Sequence, residues 1–140
     1  MTREGFSEML ATIRITNGVS MNKMHLLSGL TTTEIIRIEK AKNNYGLGYI
    51  IRFLRHLNYF IVFSNNAHEV CINEQEDFAS WLAESKEQSK ISLRSIASNI
   101  DCSYQTLSYI VNNKYNVKID LLLKLVDYFG YTIEFKPIQQ

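Results

Sequence analysis

The 140-residue sequence is poor in the residues that interrupt helices and strands or that form covalent cross-links. It contains one proline, six glycines and two cysteines. Scarce proline, with ordinary shares of apolar (46%) and charged (21%) residues, argues against disorder and for one compact domain or two small ones. Cys71 and Cys102 fit no metal or redox spacing, so both are predicted to be reduced thiols.

Long apolar runs are also missing. No stretch approaches the roughly 18 apolar residues that a membrane span needs. The first residues lack the apolar segment of a signal peptide, so we expect a cytoplasmic protein. The formal net charge of +1 excludes no class of partner, and any basic surface must therefore be local.

Patterns that carry catalysis are absent too. The sequence has no phosphate-binding loop, no nucleophile elbow and no set of metal ligands. His25, His56 and His68 have no carboxylate or cysteine at metal-ligand spacing and are predicted to be packing or surface residues. We expect neither an enzyme nor a bound cofactor.

Residues 92–111 have the pattern of two amphipathic helices joined by a tight turn. Apolar residues recur at the helical i, i+3, i+4 spacing: Leu93, Ile96 and Ala97, then Leu107, Ile110 and Val111. Asp101 tolerates the left-handed backbone conformation of such a turn, and Ser103 is placed to cap the second helix. The outward positions of that helix are uncharged but rich in hydrogen-bonding groups. This pattern is typical of a helix-turn-helix.

The chain repeats itself at an offset of 72 residues with no gap. Aligned pairs include Phe6 with Phe78, Ser20 with Ser92, Ile35 with Leu107 and Phe63 with Phe135. Such periodicity predicts two copies of one small module. We call residues 4–64 the first half and residues 76–137 the second half; residues 65–75 are predicted to be a linker or hairpin.

The coarse pattern predicts a mainly α protein with short strands. Expected helices cover residues 6–16, 21–27, 32–40 and 47–57, then 76–88, the helix-turn-helix pair and 119–129. Expected strands cover residues 59–63 and 131–135, and residues 70–72 are predicted to be the return strand of a hairpin.

Both halves resemble the phage repressor and Cro (XRE) helix-turn-helix family. In the first half the resemblance is carried by Ser20, Met24, Gly29-Leu30-Thr31, Ile35, Ile38-Glu39, Leu47, Ile50 and Leu54. In the second half it is carried by Ser92-Leu93, Ile96-Ala97, Ser103, Leu107, Ile110, Ile119, Leu122 and Val126. The trailing strands resemble those of the antitoxin branch of the family, in which a strand pairs across a two-fold axis. The implied fold is two tandem repressor-like modules with a small antiparallel β element after the last helix of each.

The resemblance implies that the third helix of each half enters the major groove of DNA. The implied base contacts are Thr32, Thr33, Glu34 and Arg37, and in the second half Tyr104, Gln105, Thr106, Ser108 and Tyr109. Threonine suits thymine methyls, glutamate suits cytosine, arginine suits guanine or phosphate, and glutamine suits adenine.

Helix starts and loops are the implied phosphate contacts. These residues are Ser20, Asn22, Lys23, Lys40 and Lys42, and in the second half Ser92, Arg94, Asn113 and Lys114. Charge divides unevenly, because residues 4–64 hold seven Lys and Arg against four Asp and Glu, whereas residues 76–136 hold seven against eight. The first half is therefore expected to contribute more of the salt-dependent affinity.

These features predict a bacterial or phage transcriptional regulator that binds double-stranded DNA and represses by occupancy. The two halves are expected to form an intrachain pseudo-dimer, and a homodimer of the whole chain stays open. Two alternatives remain: an antitoxin-like protein that neutralises a toxin-like protein partner, and an interaction module whose DNA face is disused.

Overall fold

The computed structural model describes residues 1–138, which form helices and one small antiparallel sheet. The helices are α1 (Arg3–Thr16), α2 (Met21–Ser28), α3 (Thr32–Glu39), α4 (Leu47–Arg55), α5 (Gln75–Ser89), α6 (Leu93–Ile100), α7 (Tyr104–Val111) and α8 (Ile119–Tyr128). The strands are β1 (Tyr59–Ser64), β2 (Glu69–Ile72) and β3 (Thr132–Pro137). The predicted mainly α class and the predicted hairpin are confirmed. No helix within residues 1–138 is long and apolar enough to cross a membrane.

Hydroxyl side chains cap the start of five of the helices within residues 1–138. Ser20, Thr31, Ser92 and Ser103 each accept a hydrogen bond from the backbone N–H three residues later. This contact satisfies one of the N–H groups that a helix start leaves unpaired. Thr2 does the same for α1, which therefore begins at Arg3, three residues earlier than predicted. Helix α4 ends two residues earlier than predicted, and Asn58 beyond it has a positive φ of 63°.

The sheet joins the two halves of the chain. Its strand order is β2-β1-β3, and both pairings are antiparallel. Ile61 lies opposite Phe135 and Phe63 lies opposite Ile133. Val62 lies opposite Glu134, its own equivalent 72 residues later.

Loop backbones before α4 and α8 make a second connection between the halves. Gly46 and Lys118, again 72 positions apart, form an isolated antiparallel bridge. The Leu47 N–H donates to the Val117 carbonyl, and the Ile119 N–H donates to that of Tyr45, both at 2.8 Å. Each bond is the repeat equivalent of the other, as a local two-fold axis through this bridge would produce.

Two asparagines extend this reciprocal pattern to side chains. Asn44 Oδ1 accepts from the Asp120 N–H at 3.0 Å, at the start of α8. Asn116 Oδ1 accepts from the Gly48 N–H at 3.2 Å, at the start of α4. Each half thus supplies a cap for the last helix of the other half, so the orientation of α4 and α8 is tied to the junction.

The junction is not symmetric in charge. Arg3 of α1 donates from Nε to Asp120 at 2.9 Å, and this hydrogen-bonded ion pair lowers the pKa of the Asp120 carboxyl. The equivalent positions carry Gln75 and Gly48, which cannot form an ion pair. The first helix of the chain is therefore fixed electrostatically to the second half without a matching contact in return.

Aromatic packing fills the core under the sheet in the second half. The Trp81 ring centroid lies 5.0 Å from Phe63, 5.3 Å from Phe78, 5.7 Å from Phe129 and 5.4 Å from Tyr131. Because Phe63 belongs to β1, this cluster attaches the second half to a strand of the first. Edge-to-face contacts of this kind add to the energy of area burial alone.

The first half instead contains a buried ion pair between α1 and α3. Arg14 binds both carboxylate oxygens of Glu39, at 2.6 and 2.9 Å, and donates to the Val19 carbonyl at 2.8 Å. Only 11% and 6% of the Arg14 and Glu39 side chains are exposed. The equivalents Lys86 and Val111 cannot make this contact.

We expect Arg14→Met to lower the free energy of unfolding by about 3–5 kcal/mol, because it leaves the buried Glu39 carboxylate without a partner. The double change Arg14→Met with Glu39→Leu should recover most of that loss. Lys86→Met is the matched control, since its exposed pair with Glu87 contributes less than about 1 kcal/mol. Urea unfolding measures all three. Equal losses in the single and double variants would contradict the interpretation.

A buried hydroxyl pair links α1 to the loop before α4. Ser7 Oγ and Tyr45 Oη lie 2.7 Å apart, and burial raises the pKa of Tyr45 to about 12. The neutral phenol is therefore favoured in the folded state. The stability that the folded state gains from the neutral phenol is fully present below the pKa of about 10 in the unfolded chain. It is lost as the pH rises towards the folded-state pKa of about 12.

We expect Tyr45→Phe to lower the free energy of unfolding at pH 8 by about 1–3 kcal/mol, because Ser7 loses its partner. Between pH 10 and about 12, stability should then fall less in this variant than in the wild type. Tyr115→Phe, at an exposed tyrosine, is the control. Parallel stability curves for Tyr45→Phe and the wild type would rule out this role of Tyr45.

Candidate nucleic-acid interface

The second half presents a helix-turn-helix made of α6 and α7. Ile96 and Ala97 of α6 pack inward, as do Leu107 and Ile110 of α7. Asp101 ends α6 with a φ of 57°, which confirms its predicted left-handed conformation. The side chains on the opposite side of α7 are therefore directed outward.

The outward side of α7 carries an ordered group of polar and aromatic side chains. Tyr104, Gln105 and Tyr109 are exposed, whereas Thr106 and Ser108 are half-buried. Gln105 Nε2 donates to Tyr109 Oη at 2.8 Å. The amide oxygen of Gln105 stays available to a ligand, and the bond holds the amide in one orientation.

Arg94 of α6 lies against the start of α7. Its guanidinium carbon is 4.3 Å from the centroid of the Tyr104 ring, within the range of a cation–π contact. Arg94 thereby places a positive charge beside the first residue of α7, where an approaching phosphate would meet it.

In the first half, α2 and α3 lie at the positions 72 residues before α6 and α7. Gly29 ends α2 with a φ of 73°. His25 Nδ1 bonds to the Leu30 carbonyl at 2.6 Å, which secures the turn from the α2 side. Thr32, Thr33 and Arg37 are exposed on the outer side of α3.

Glu34, predicted to contact a base, is engaged in a helix cap. Its Oε1 accepts from the Thr31 N–H at 3.0 Å, while Thr31 Oγ1 accepts from the Glu34 N–H. The hydrogen bond from the Thr31 backbone lowers the pKa of the Glu34 carboxyl. The anion thus stabilises the start of α3 through Oε1, and a contact with cytosine would have to use Oε2.

Ile36 lies on the same outer side of α3 and was missed as a site residue. It is 45% exposed, although the neighbouring Ile35 and Ile38 are buried. Helical spacing alone marks it, because it follows Thr32 by four residues and Thr33 by three. The signal in the sequence is an apolar residue that lies, by helical spacing, on the same side as the candidate contacts Thr32 and Thr33.

The predicted phosphate contacts are exposed and fall in two groups, one in each half. They are Ser20, Asn22, Lys23, Lys40 and Lys42, and Ser92, Arg94, Asn113 and Lys114. Within each half they lie at the start of the second helix and in or beside the loop after the third. Ser20 and Ser92 use their hydroxyl oxygens as acceptors in helix capping, and the Ser20 hydroxyl proton stays free to donate.

Comparison with known proteins gives one match. Residues 82–136 match a family model described as helix-turn-helix, a segment that includes α6, α7, α8 and most of β3. No curated protein and no solved structure matches the chain. The match confirms the predicted helix-turn-helix of the second half and supports a DNA-binding regulatory domain there. It does not extend to the first half.

The two turns should respond oppositely to substitution at equivalent positions, Gly29 and Asp101. Gly29→Ala should lower the free energy of unfolding by more than about 1 kcal/mol, because φ is positive and a Cβ would lie 2.7 Å from Arg52 Nη2. Asp101→Gly should raise it by up to about 1 kcal/mol, because glycine adopts φ 57° without strain. Thermal unfolding measures both, and a destabilised Asp101→Gly would show that the aspartate side chain itself holds the turn.

Proposed function

We propose that this protein is a transcriptional regulator that binds double-stranded DNA through α3 and α7 and represses by occupying its site. The observation that carries the proposal is the reciprocal hydrogen bonding of the halves. It relates the α2–α3 pair to the α6–α7 pair, and the latter lies in the segment matching the helix-turn-helix family.

Several features support two tandem modules, residues 4–64 and 76–137. Helices α2, α3, α6 and α7 each have eight residues and begin at a hydroxyl cap. The equivalent pairs Phe6–Phe135 and Phe63–Phe78 make similar edge-to-face contacts, with ring centroids 5.2 and 6.0 Å apart. Residues 65–75 contain β2, so we interpret this segment as a hairpin rather than a plain linker.

In this proposal α3 and α7 read different sequences. The residues proposed to contact bases are Thr32, Thr33, Glu34 and Arg37, and Tyr104, Gln105, Thr106, Ser108 and Tyr109. Recognition helices related by a two-fold axis reach major grooves about 34 Å apart. Because the two sets differ, the preferred operator is asymmetric for one chain.

A protein-binding, antitoxin-like role is the second candidate. It is favoured by Leu26 and Leu27 of α2, which are 73% and 42% exposed. Their equivalents in α6 are the polar residues Ser98 and Asn99. An apolar surface present in only one half is more typical of a protein contact than of a phosphate contact.

Fluorescence anisotropy with a random-sequence duplex across salt concentrations tests the proposed DNA binding. We expect micromolar-range affinity that falls linearly on a log–log plot, because each neutralised phosphate releases counterions. Lys23→Ala, at a proposed phosphate contact, should reduce the slope by about one, and Lys136→Ala on β3, which pairs with Glu69, should not. No binding at low salt would overturn the proposal and favour the protein-binding role.

Gln105→Ala tests specificity once an operator has been selected from random sequences. We expect a loss of about 1–3 kcal/mol at the selected site, because an adenine contact is removed, with little change on random duplex. Equal losses on both duplexes would assign Gln105 to the DNA backbone instead.

A further inference from the structure

The outer sides of α3 and α7 differ in chemistry at each equivalent position. Outward from α3 lie Thr32, Thr33, Ile36 and Arg37, and their equivalents on α7 are Tyr104, Gln105, Ser108 and Tyr109. Three of the four α3 residues carry methyl groups. None of the four α7 residues carries a methyl group, and each of them carries a hydroxyl or an amide.

Ile36 is not part of the hydrophobic core. Ile35 and Ile38, on the inner side of α3, are 0% and 3% exposed, so the core contact of this helix is complete without it. The equivalent residue Ser108 is half-buried and polar. Ile36 keeps 45% of its surface exposed on the outer side of α3, so its apolar surface is accessible to a molecule bound against this helix.

Few side chains on α3 can form hydrogen bonds with the edges of bases. The helix contains no asparagine or glutamine, so it lacks the side chains that bind adenine in a bidentate manner. The Glu34 carboxylate is held in the cap with Thr31. Arg37 is the one cation within α3, and arginine selects guanine rather than an A·T pair.

We propose that Ile36 contacts the C5-methyl group of a thymine in the half-site read by α3, with Thr32 and Thr33 beside it. Thymine is the base that presents a methyl group in the major groove. Contact between the two apolar groups removes both from water, and this gain is lost when the methyl group is absent. The inference rests on the proposed function and specifies how α3 differs from α7.

The test removes the methyl group from the DNA and keeps every hydrogen-bonding group. The full chain first selects duplexes from a random library. Each thymine of the selected duplex is then replaced by uracil, one at a time, and affinity is measured by anisotropy. For the wild type we expect at least one replacement to weaken binding about fourfold, the change expected for one buried methyl group.

Ile36→Ser, which installs the residue of the equivalent position, should bind the same thymine and uracil duplexes equally well. Leu26→Ser is the matched control, because it also replaces an exposed aliphatic side chain by the residue of its equivalent position, but on α2; it should stay as sensitive to uracil as the wild type. Ile36→Val keeps part of the apolar contact and should show intermediate sensitivity. Thermal unfolding of each variant shows whether the variant is still folded.

The outcomes separate this inference from the proposed function. Two outcomes would overturn the role of Ile36 and leave DNA recognition standing. In the first, no replacement of thymine by uracil in the selected sequence weakens binding. In the second, such a replacement weakens the binding of Ile36→Ser as much as that of the wild type. Failure to select any sequence would overturn both the role of Ile36 and DNA recognition.

Discussion

The antiparallel pairing of β1 with β3 is the constraint on which the rest of the structure depends. Val62 meets Glu134 at its centre, and the same relation recurs where Gly46 meets Lys118. Strands and loops connect the halves at two separate places, which restricts the rotation and translation of one half relative to the other. Any function that uses both helix-turn-helix surfaces at once requires such a fixed relation.

Within this near-symmetric backbone the two halves are stabilised by different interactions. The first depends on the buried pair of Arg14 and Glu39, whereas the second depends on the aromatic cluster around Trp81. A buried ion pair tolerates little repositioning of its partners, since its energy depends on close geometry. Aromatic and aliphatic packing adapts more readily, because volume and pattern matter more than any single contact. The backbone relation between the halves is thus nearly symmetric, whereas their interiors differ.

Local features could be predicted from the sequence, and long-range partners could not. Helical spacing and hydroxyl caps marked α2, α3, α6 and α7, because these signals lie within a few residues of the helix they define. Asn44 and Asn116 read as ordinary loop residues, since their partners are 76 and 68 positions away. The exposure of Ile36 could not be predicted, because its sequence context resembles that of the buried Ile35 and Ile38. The family match confirms only the second helix-turn-helix; the contacts proposed for α3 and α7 stay predictions.

In the proposed arrangement α3 and α7 belong to one chain, so the two surfaces that contact DNA can be changed independently. In an association of identical subunits, every substitution appears twice, and a new preference must suit both halves of the operator at once. Here a codon change in α3 leaves α7 as it was. Joining the halves also keeps each at a high effective concentration near the other, so dilution does not separate them. Ile36 and Ser108 are equivalent positions that already differ in this way.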